Sequence, residues 1–302
     1  MIPKPSRVWP LRGICAVILM LGMAADPLVA QGRAGSQSAE ENPARRQLWR
    51  VPTPDPSTLS QAVLFRPVGN GPFPLAVIAH ASTQNAIRRA QMPQPEYRAL
   101  AQALVVRGYA VLVPERPGHG ATGGPYLEEQ GGCSNADYLS AGRATAESIR
   151  NALAFMRMQP FIAKDAALIV GHSAGGLGAL ALAASDQGTI ARIVAFAPGR
   201  GGRANDRPGE VCAPERLVSA AGTFGKGARV PVTWIVAEND SYFSPAISRQ
   251  MADAFGASGG KVDFRIVPKS GDDGHWLAEG EGAVQILGGI LGGGRGAPGK
   301  SK

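Results

Sequence analysis

An α/β architecture, with a mostly parallel twisted sheet and helices on both faces, is predicted by three observations. From Gln61 onward, short apolar runs alternate with longer amphipathic segments, the pattern of strands buried on both faces and the helices that cover them. The apolar run 166–170 meets Gly171-His172-Ser173-Ala174-Gly175 and then a stretch of small residues, so strand, sharp turn and helix follow in immediate succession. The chain has 302 residues at 44% apolar composition, enough for one large core, and no internal repeat divides it.

The elements follow in order. Lys4, Arg7 and Arg12 precede an apolar stretch, 14–23, and then small residues to Ala30, the layout of an export signal. An apolar stretch of about ten residues is too short for a permanent membrane anchor. Residues 1–30 are therefore expected to be a signal peptide, with a mature chain beginning near Gln31 and an exported protein, periplasmic or secreted. Cys15 lacks the context of a lipoprotein cleavage site, so no lipid anchor is expected. Residues 31–60 are rich in Gln, Ser, Pro and Gly, with Pro52, Pro54 and Pro56 alternating. They are expected to be a flexible lead-in, either a linker or a lead-in strand.

The folded domain is expected over 61–291, with strands at 62–65, 75–79, 110–113, 167–170, 193–196, 233–237 and 264–267. Helices are expected near 96–107, 138–158, 175–184, 245–255 and 283–291, with a short one near 214–221. Each connection between strands is long enough for a right-handed parallel crossover. The Gly/Lys-rich residues 292–302 are expected to be a disordered tail.

The formal charge of +8 falls to +6 when residues 1–30, with three basic and one acidic side chain, are removed (8 − 3 + 1). Arginines are scattered rather than clustered with aromatics, which argues against a nucleic-acid partner. No stable membrane association is expected once the signal is gone. Four histidines without paired spacing on one helix, and no thiol cluster, give no reason to expect a metal. No glycine-rich nucleotide loop follows a strand, so no cofactor is implied. Past the signal only Cys133 and Cys212 remain, and an exported chain with one pair of thiols is expected to bridge them.

The chemistry concentrates at the carboxyl ends of the expected strands, where open α/β sheets gather functional groups. Ser173, in the tight turn after 167–170, is a candidate nucleophile. A serine hydroxyl attacks well only when an imidazole takes its proton, and the imidazole needs a carboxylate to fix its tautomer. Asp240 follows the strand 233–237 and His275 follows 264–267, so Ser173, Asp240 and His275 supply the three roles. Asp272 and Asp273 are too near His275 in sequence to orient it easily. His119 lies in the glycine-rich loop Pro117-Gly118-His119-Gly120 and is not expected to be the base.

Each of the three residues stands just past a different strand, in the order Ser, Asp, His. In this the chain resembles the α/β-hydrolases over roughly 61–291, without a large lid domain. The segment 232–276 most resembles the dienelactone hydrolase-like branch. Dienelactone hydrolases proper use a cysteine nucleophile where this chain has Ser173. The resemblance implies an oxyanion hole made by the backbone N–H groups of Ala174 and Ser82, the latter in the segment His80-Ala81-Ser82. Ala81 stands where glycine is usual. His80 then belongs under the oxyanion loop, and His172, in the variable slot of the turn, packs beneath it.

The stretch 199–231 is too short for a full helical lid, and the excursion 115–137 is similarly loose. The Cys133–Cys212 bridge is expected to join these two as lips of an open cleft. The implied activity is cleavage of a small carboxylic ester or lactone, with a small ester-type molecule as partner. A serine peptidase or amidase, and a non-catalytic exported binding protein of the same fold, stay open as alternatives. The sequence does not specify an oligomeric state.

Overall fold

The computed structural model describes Met1 and residues 32–292. Apart from Met1 and Gly292, the expected signal peptide and tail lie outside the described residues. Runs of Val, Ile, Leu and Ala form eight strands: β1 (Gln47–Pro52), β2 (Leu59–Phe65), β3 (Leu75–Ala79), β4 (Ala110–Pro114), β5 (Ala167–His172), β6 (Ile190–Phe196), β7 (Val232–Ala237) and β8 (Val262–Val267). They make one sheet in the order β1-β2-β4-β3-β5-β6-β7-β8. β1 and β2 pair antiparallel at one end, and every pairing from β4 to β8 is parallel.

Every residue of β3, β4, β5 and β7 is buried, because both faces of the sheet are covered. The helices are α1 (Ala86–Ala90), α2 (Arg98–Val106), α3 (Tyr138–Arg157), α4 (Ala174–Ala183), α5 (Pro214–Gly225), α6 (Pro245–Ala257) and α7 (Gly282–Gly292). On one face Val77, Ile169, Ile193 and Trp234 pack against α3, α4, α5 and α6. On the other, Ile78, Val170, Val194 and Ile235 meet α2 and α7. Each aliphatic side chain so buried contributes about 1.5–3 kcal/mol relative to exposure. The small residues of α4 let it approach α3 closely, with Gly178 against Thr145.

The stretch 31–60 is not all flexible lead-in. Within it β1 forms the sheet's first edge, with Gln47, Trp49 and Val51 alternately buried. That period of two is the mark of a half-covered strand, hidden here by the prolines that follow. β2 begins at Leu59, α5 runs on to Gly225, and α1 was not anticipated. The opposite edge, β8, carries Asp263 and Arg265 facing outward, as exposed edges require.

Candidate active site

β3, β5, β7 and β8 all run in one direction, so the residues just beyond their carboxyl ends gather along one rim. Ser173 follows β5 with φ 54° and ψ −116°, a backbone conformation costly for a residue with a Cβ. Three backbone hydrogen bonds hold it there. Its N–H donates to Phe196 O at 3.0 Å, and its carbonyl accepts from the N–H groups of Leu177 and Gly199, both at 3.0 Å. The flanking glycines are sterically required. A Cβ on Gly171 would lie 2.7 Å from Gly176 Cα, and one on Gly175 would collide with the Ala79 carbonyl.

His275 sits in a 3-10 turn, Gly274–Glu279, whose start is capped by Asp273: its Oδ1 accepts the His275 N–H at 3.0 Å. Asp273 also accepts from Ser241 N at 3.0 Å and Ser241 Oγ at 2.6 Å, so it orders the backbone of this loop and does not touch the imidazole. The His275 ring stacks on Tyr242, with centroids 4.0 Å apart. Its Nδ1 lies 3.2 Å from Asp240 Oδ2. Asp240 Oδ1 accepts from the N–H groups of Tyr242 and Phe243, each at 2.8 Å, which fixes the carboxylate's orientation.

Ser173 and His275 line the same cavity, of about 950 Å³. The Asp240–His275 contact is made, whereas the Ser173 hydroxyl makes no hydrogen bond to His275 among the described residues. Contacts of this kind often tighten only when substrate is bound.

Neither the Ala174 N–H nor the Ser82 N–H donates to another group among the described residues. Ala174 opens α4, where the helix dipole adds positive potential. The Ser82 N–H is aimed indirectly. Arg116 N–H donates to His80 Nε2 at 3.0 Å, so the His80 proton is on Nδ1, which donates to the Ala81 carbonyl at 2.6 Å. Carbonyl and N–H point opposite ways across a trans peptide, so holding Ala81 O sets the direction of Ser82 N–H. Burial, with Arg116 second, holds His80 well below the usual histidine range, keeping it neutral.

Behind the His80-Ala81-Ser82 segment lies a charged cluster that sequence reasoning missed. Glu128 is fully buried between Arg116 and Arg200, paired to both. Arg116 Nη1 also donates to His80 O at 2.7 Å, and Arg200 Nη1 to Tyr126 Oη at 2.7 Å. Burial pushes the Glu128 carboxyl up, but the two guanidinium groups outweigh it and hold its pKa at about 2. His119 packs against this cluster, and burial lowers its pKa to about 4. Nothing in the loop 115–137 marked these charges as buried, since burial there depends on contacts with residue 200, far along the chain. Tyr97 was likewise missed. Its hydroxyl is 2.9 Å from Nδ1 of His172, and no motif surrounds it.

Cys133 and Cys212 are bridged, with Cα atoms 4.6 Å apart. The bridge does not join the lips of the mouth, however. The cavity wall is built from 82–98 and 199–206, with neither cysteine among its lining residues. The disulfide stands behind the second wall, where Cys212 N–H donates to Gly201 O at 2.9 Å. The connection after β3 is longer than a simple turn, and its residues beyond the His80-Ala81-Ser82 segment form this wall without any motif in the sequence.

Among the described residues no helix is long and apolar enough to cross a membrane. A family profile for the α/β hydrolase fold matches residues 93–211. Solved structures extend the likeness to most of the chain. An esterase from Pyrococcus furiosus is 13% identical with a TM-score of 0.56, covering 86% of this chain and 97% of that one. The esterase Est1E from Butyrivibrio proteoclasticus is 15% identical with a TM-score of 0.54, covering 81% and 97%. A cold-adapted esterase from an Arctic intertidal metagenomic library is 18% identical with a TM-score of 0.54, covering 83% and 97%. A search of curated proteins finds no match. The chain has the α/β-hydrolase fold, with an eight-stranded, mostly parallel sheet.

Proposed function

We propose that this protein is a serine hydrolase that cleaves a small carboxylic ester or lactone, of the dienelactone hydrolase-like branch but with serine as nucleophile. The observation that carries the reading is His275, paired to the buried Asp240 and lining one cavity with Ser173, beside two backbone N–H groups that have no acceptor among the described residues. That the structural neighbours include esterases supports the same class.

Asp240 holds the His275 proton on Nδ1, so Nε2 is the atom that takes the Ser173 proton. Ser173 Oγ attacks the ester carbonyl carbon, and the oxyanion is held by the N–H groups of Ala174 and Ser82. As the tetrahedral intermediate collapses, the carbon–oxygen bond to the alcohol breaks and His275 returns the proton to that alcohol. Water then attacks the acyl-enzyme, again losing its proton to His275, and the acid leaves with Ser173 restored. The Cys133–Cys212 disulfide supports the export expected from residues 1–30, since such bridges persist in oxidising compartments.

The test is a panel of fluorogenic short-chain esters, lactones and peptide anilides, with Ser173→Ala as control. Ester or lactone turnover lost in Ser173→Ala is the expected result. Unchanged turnover in that variant refutes the serine mechanism, and faster cleavage of anilides than of matched esters reassigns the enzyme as an amidase. Absence of turnover together with no labelling of Ser173 by a fluorophosphonate refutes catalysis and leaves a binding protein.

A further inference from the structure

We infer that Tyr97 and His172 form a relay tying the oxyanion loop to the loop that carries the base, so that both halves of the catalytic apparatus are positioned as one unit. The inference rests on the serine-hydrolase reading above. His172 is the residue before the nucleophile and is completely buried. Its Nε2 lies 2.8 Å from the backbone carbonyl of His275. A carbonyl oxygen only accepts, so Nε2 carries the proton, and Nδ1 of the neutral ring is left as an acceptor.

The Tyr97 hydroxyl, 2.9 Å from Nδ1, is therefore the donor there. With its proton committed to His172, Tyr97 Oη accepts in turn, and Ala81 N–H donates to it at 3.1 Å. The chain of donors runs in a single direction: Ala81 N–H to Tyr97, Tyr97 O–H to His172, and His172 N–H to the His275 carbonyl. One end is the peptide adjoining the Ser82 donor, and the other is the backbone of the base.

The groups around His172 are consistent with this. Glu279 Oε1 is 3.8 Å from Nδ1, beyond hydrogen-bond reach, while the Tyr97 hydroxyl occupies the near position. The rings of His275 and Trp276 lie at 5.2 and 5.7 Å between centroids and make no polar contact with it. Burial, with the His275 charge second, lowers the His172 pKa to about 3, so the ring is neutral near neutral pH and the proton order stands there. Tyr97 itself has a left-handed backbone, φ 48°, at the entry to α2, which brings its side chain inward from the loop that walls the cavity. Tyr97 and His172 touch no reacting atom. They are positioning residues, and their effect belongs to the transition state, where the oxyanion donors and base must be in place together.

The test uses the full chain with two variants, Tyr97→Phe and His172→Gln, and Ser173→Ala as reference. Three readouts are taken: kcat against KM on the best ester of the panel, affinity for an alkylboronic acid, and the 15N-imidazole spectrum of the wild type. Tyr97→Phe keeps the ring and removes only the hydroxyl. We expect kcat to fall about 10- to 100-fold with KM changed less than about threefold, the loss typical of slightly misplaced catalytic groups. Boronate affinity should fall by a similar factor, because the adduct needs the same donors. In the spectrum, His172, assigned by its loss in His172→Gln, should appear as the neutral Nε2–H tautomer.

Wild-type kcat and boronate affinity in folded Tyr97→Phe overturn the relay, as does an Nδ1–H or charged His172 in the wild type. If Tyr97→Phe does not fold, the tautomer still decides the matter. The two readings fail separately. Full activity in Ser173→Ala sinks the serine mechanism and leaves the tautomer to judge the relay, whereas an inactive Ser173→Ala beside an unimpaired Tyr97→Phe sinks the relay alone.

Discussion

The hydroxyl of Ser82 lies 2.7 Å from Nε2 of His119. Nδ1 of that ring faces the carbonyls of Arg116 and Pro117, both at 3.1 Å, so Nδ1 carries the proton and Nε2 accepts from Ser82. Ser82 therefore spends its hydroxyl proton on His119 and has only its backbone N–H to offer an oxyanion. Ser82→Ala is expected to keep kcat within about threefold of wild type while costing about 1 kcal/mol of stability for the lost hydrogen bond. Steady-state kinetics and urea unfolding measure the two effects. A fall of about 100-fold or more in kcat would identify the hydroxyl as the donor instead.

Asp240→Asn tests the tautomer of His275. Two backbone N–H groups, those of Tyr242 and Phe243, point at Asp240 Oδ1, so an asparagine there must present its oxygen to them. Its NH₂ then faces His275 Nδ1 and forces that nitrogen to accept. The ring proton moves to Nε2, where it can no longer take the Ser173 proton. Turnover should drop about 10⁴-fold with the fold intact, since only the tautomer is wrong. Circular dichroism with kcat measured across pH checks it, and a loss under about tenfold would mean that Asp240 does not set the ring.

How much of this was legible in the sequence follows from how local each feature is. The strand, elbow and helix around Ser173 are adjacent in the chain, and the strands ending before Asp240 and His275 are continuous apolar runs. Periodicity and motif were enough to find them. A lead-in strand was open within 31–60, but the bounds of β1 were not readable, because its alternation, with Gln47 as one of the buried positions, does not read as apolar, and because it lies beside prolines. The Arg116–Glu128–Arg200 cluster and the Tyr97–His172 contact join positions 72 and 75 residues apart, and no pattern along the chain announces such pairs. The cysteine pairing was readable by elimination, but its place behind the cavity wall depended on which loops the fold brings forward.

Acid should weaken the fold in two stages. Burial lowers the pKa of His119 to about 4 and of His172 to about 3, whereas an unfolded histidine titrates near 6.5. Below pH about 6.5 the unfolded chain takes up protons that the folded one refuses, so stability present above that value is lost as pH falls. At pH 5 each ring accounts for a loss of up to about 2 kcal/mol. Glu128, held at about 2 against an unfolded value near 4.3, adds a further loss as pH falls through that lower range. Calorimetry at pH 7 and pH 5 should show the melting temperature dropping by about 10 °C. An unchanged melting temperature would mean that these rings are not buried neutral.

The Cys133–Cys212 bridge should separate stability from chemistry. It closes a loop spanning 79 residues, for which the chain-entropy estimate is a ceiling of about 4 to 5 kcal/mol. None of Ser173, Asp240 and His275 lies on the two loops it joins. What it supports is the cavity wall at Gly201, Gly202 and Arg203, through the Cys212 N–H bond to Gly201 O at 2.9 Å. Replacing both cysteines with alanine is therefore expected to lower the urea midpoint markedly and to raise KM a few-fold as the wall loosens. kcat should stay within about twofold, because Ser173, Asp240 and His275 are each held by hydrogen bonds that involve neither cysteine. Urea unfolding and steady-state kinetics on the same samples decide it. A kcat that collapses while the protein remains folded would show that the bridge also fixes the position of the catalytic side chains.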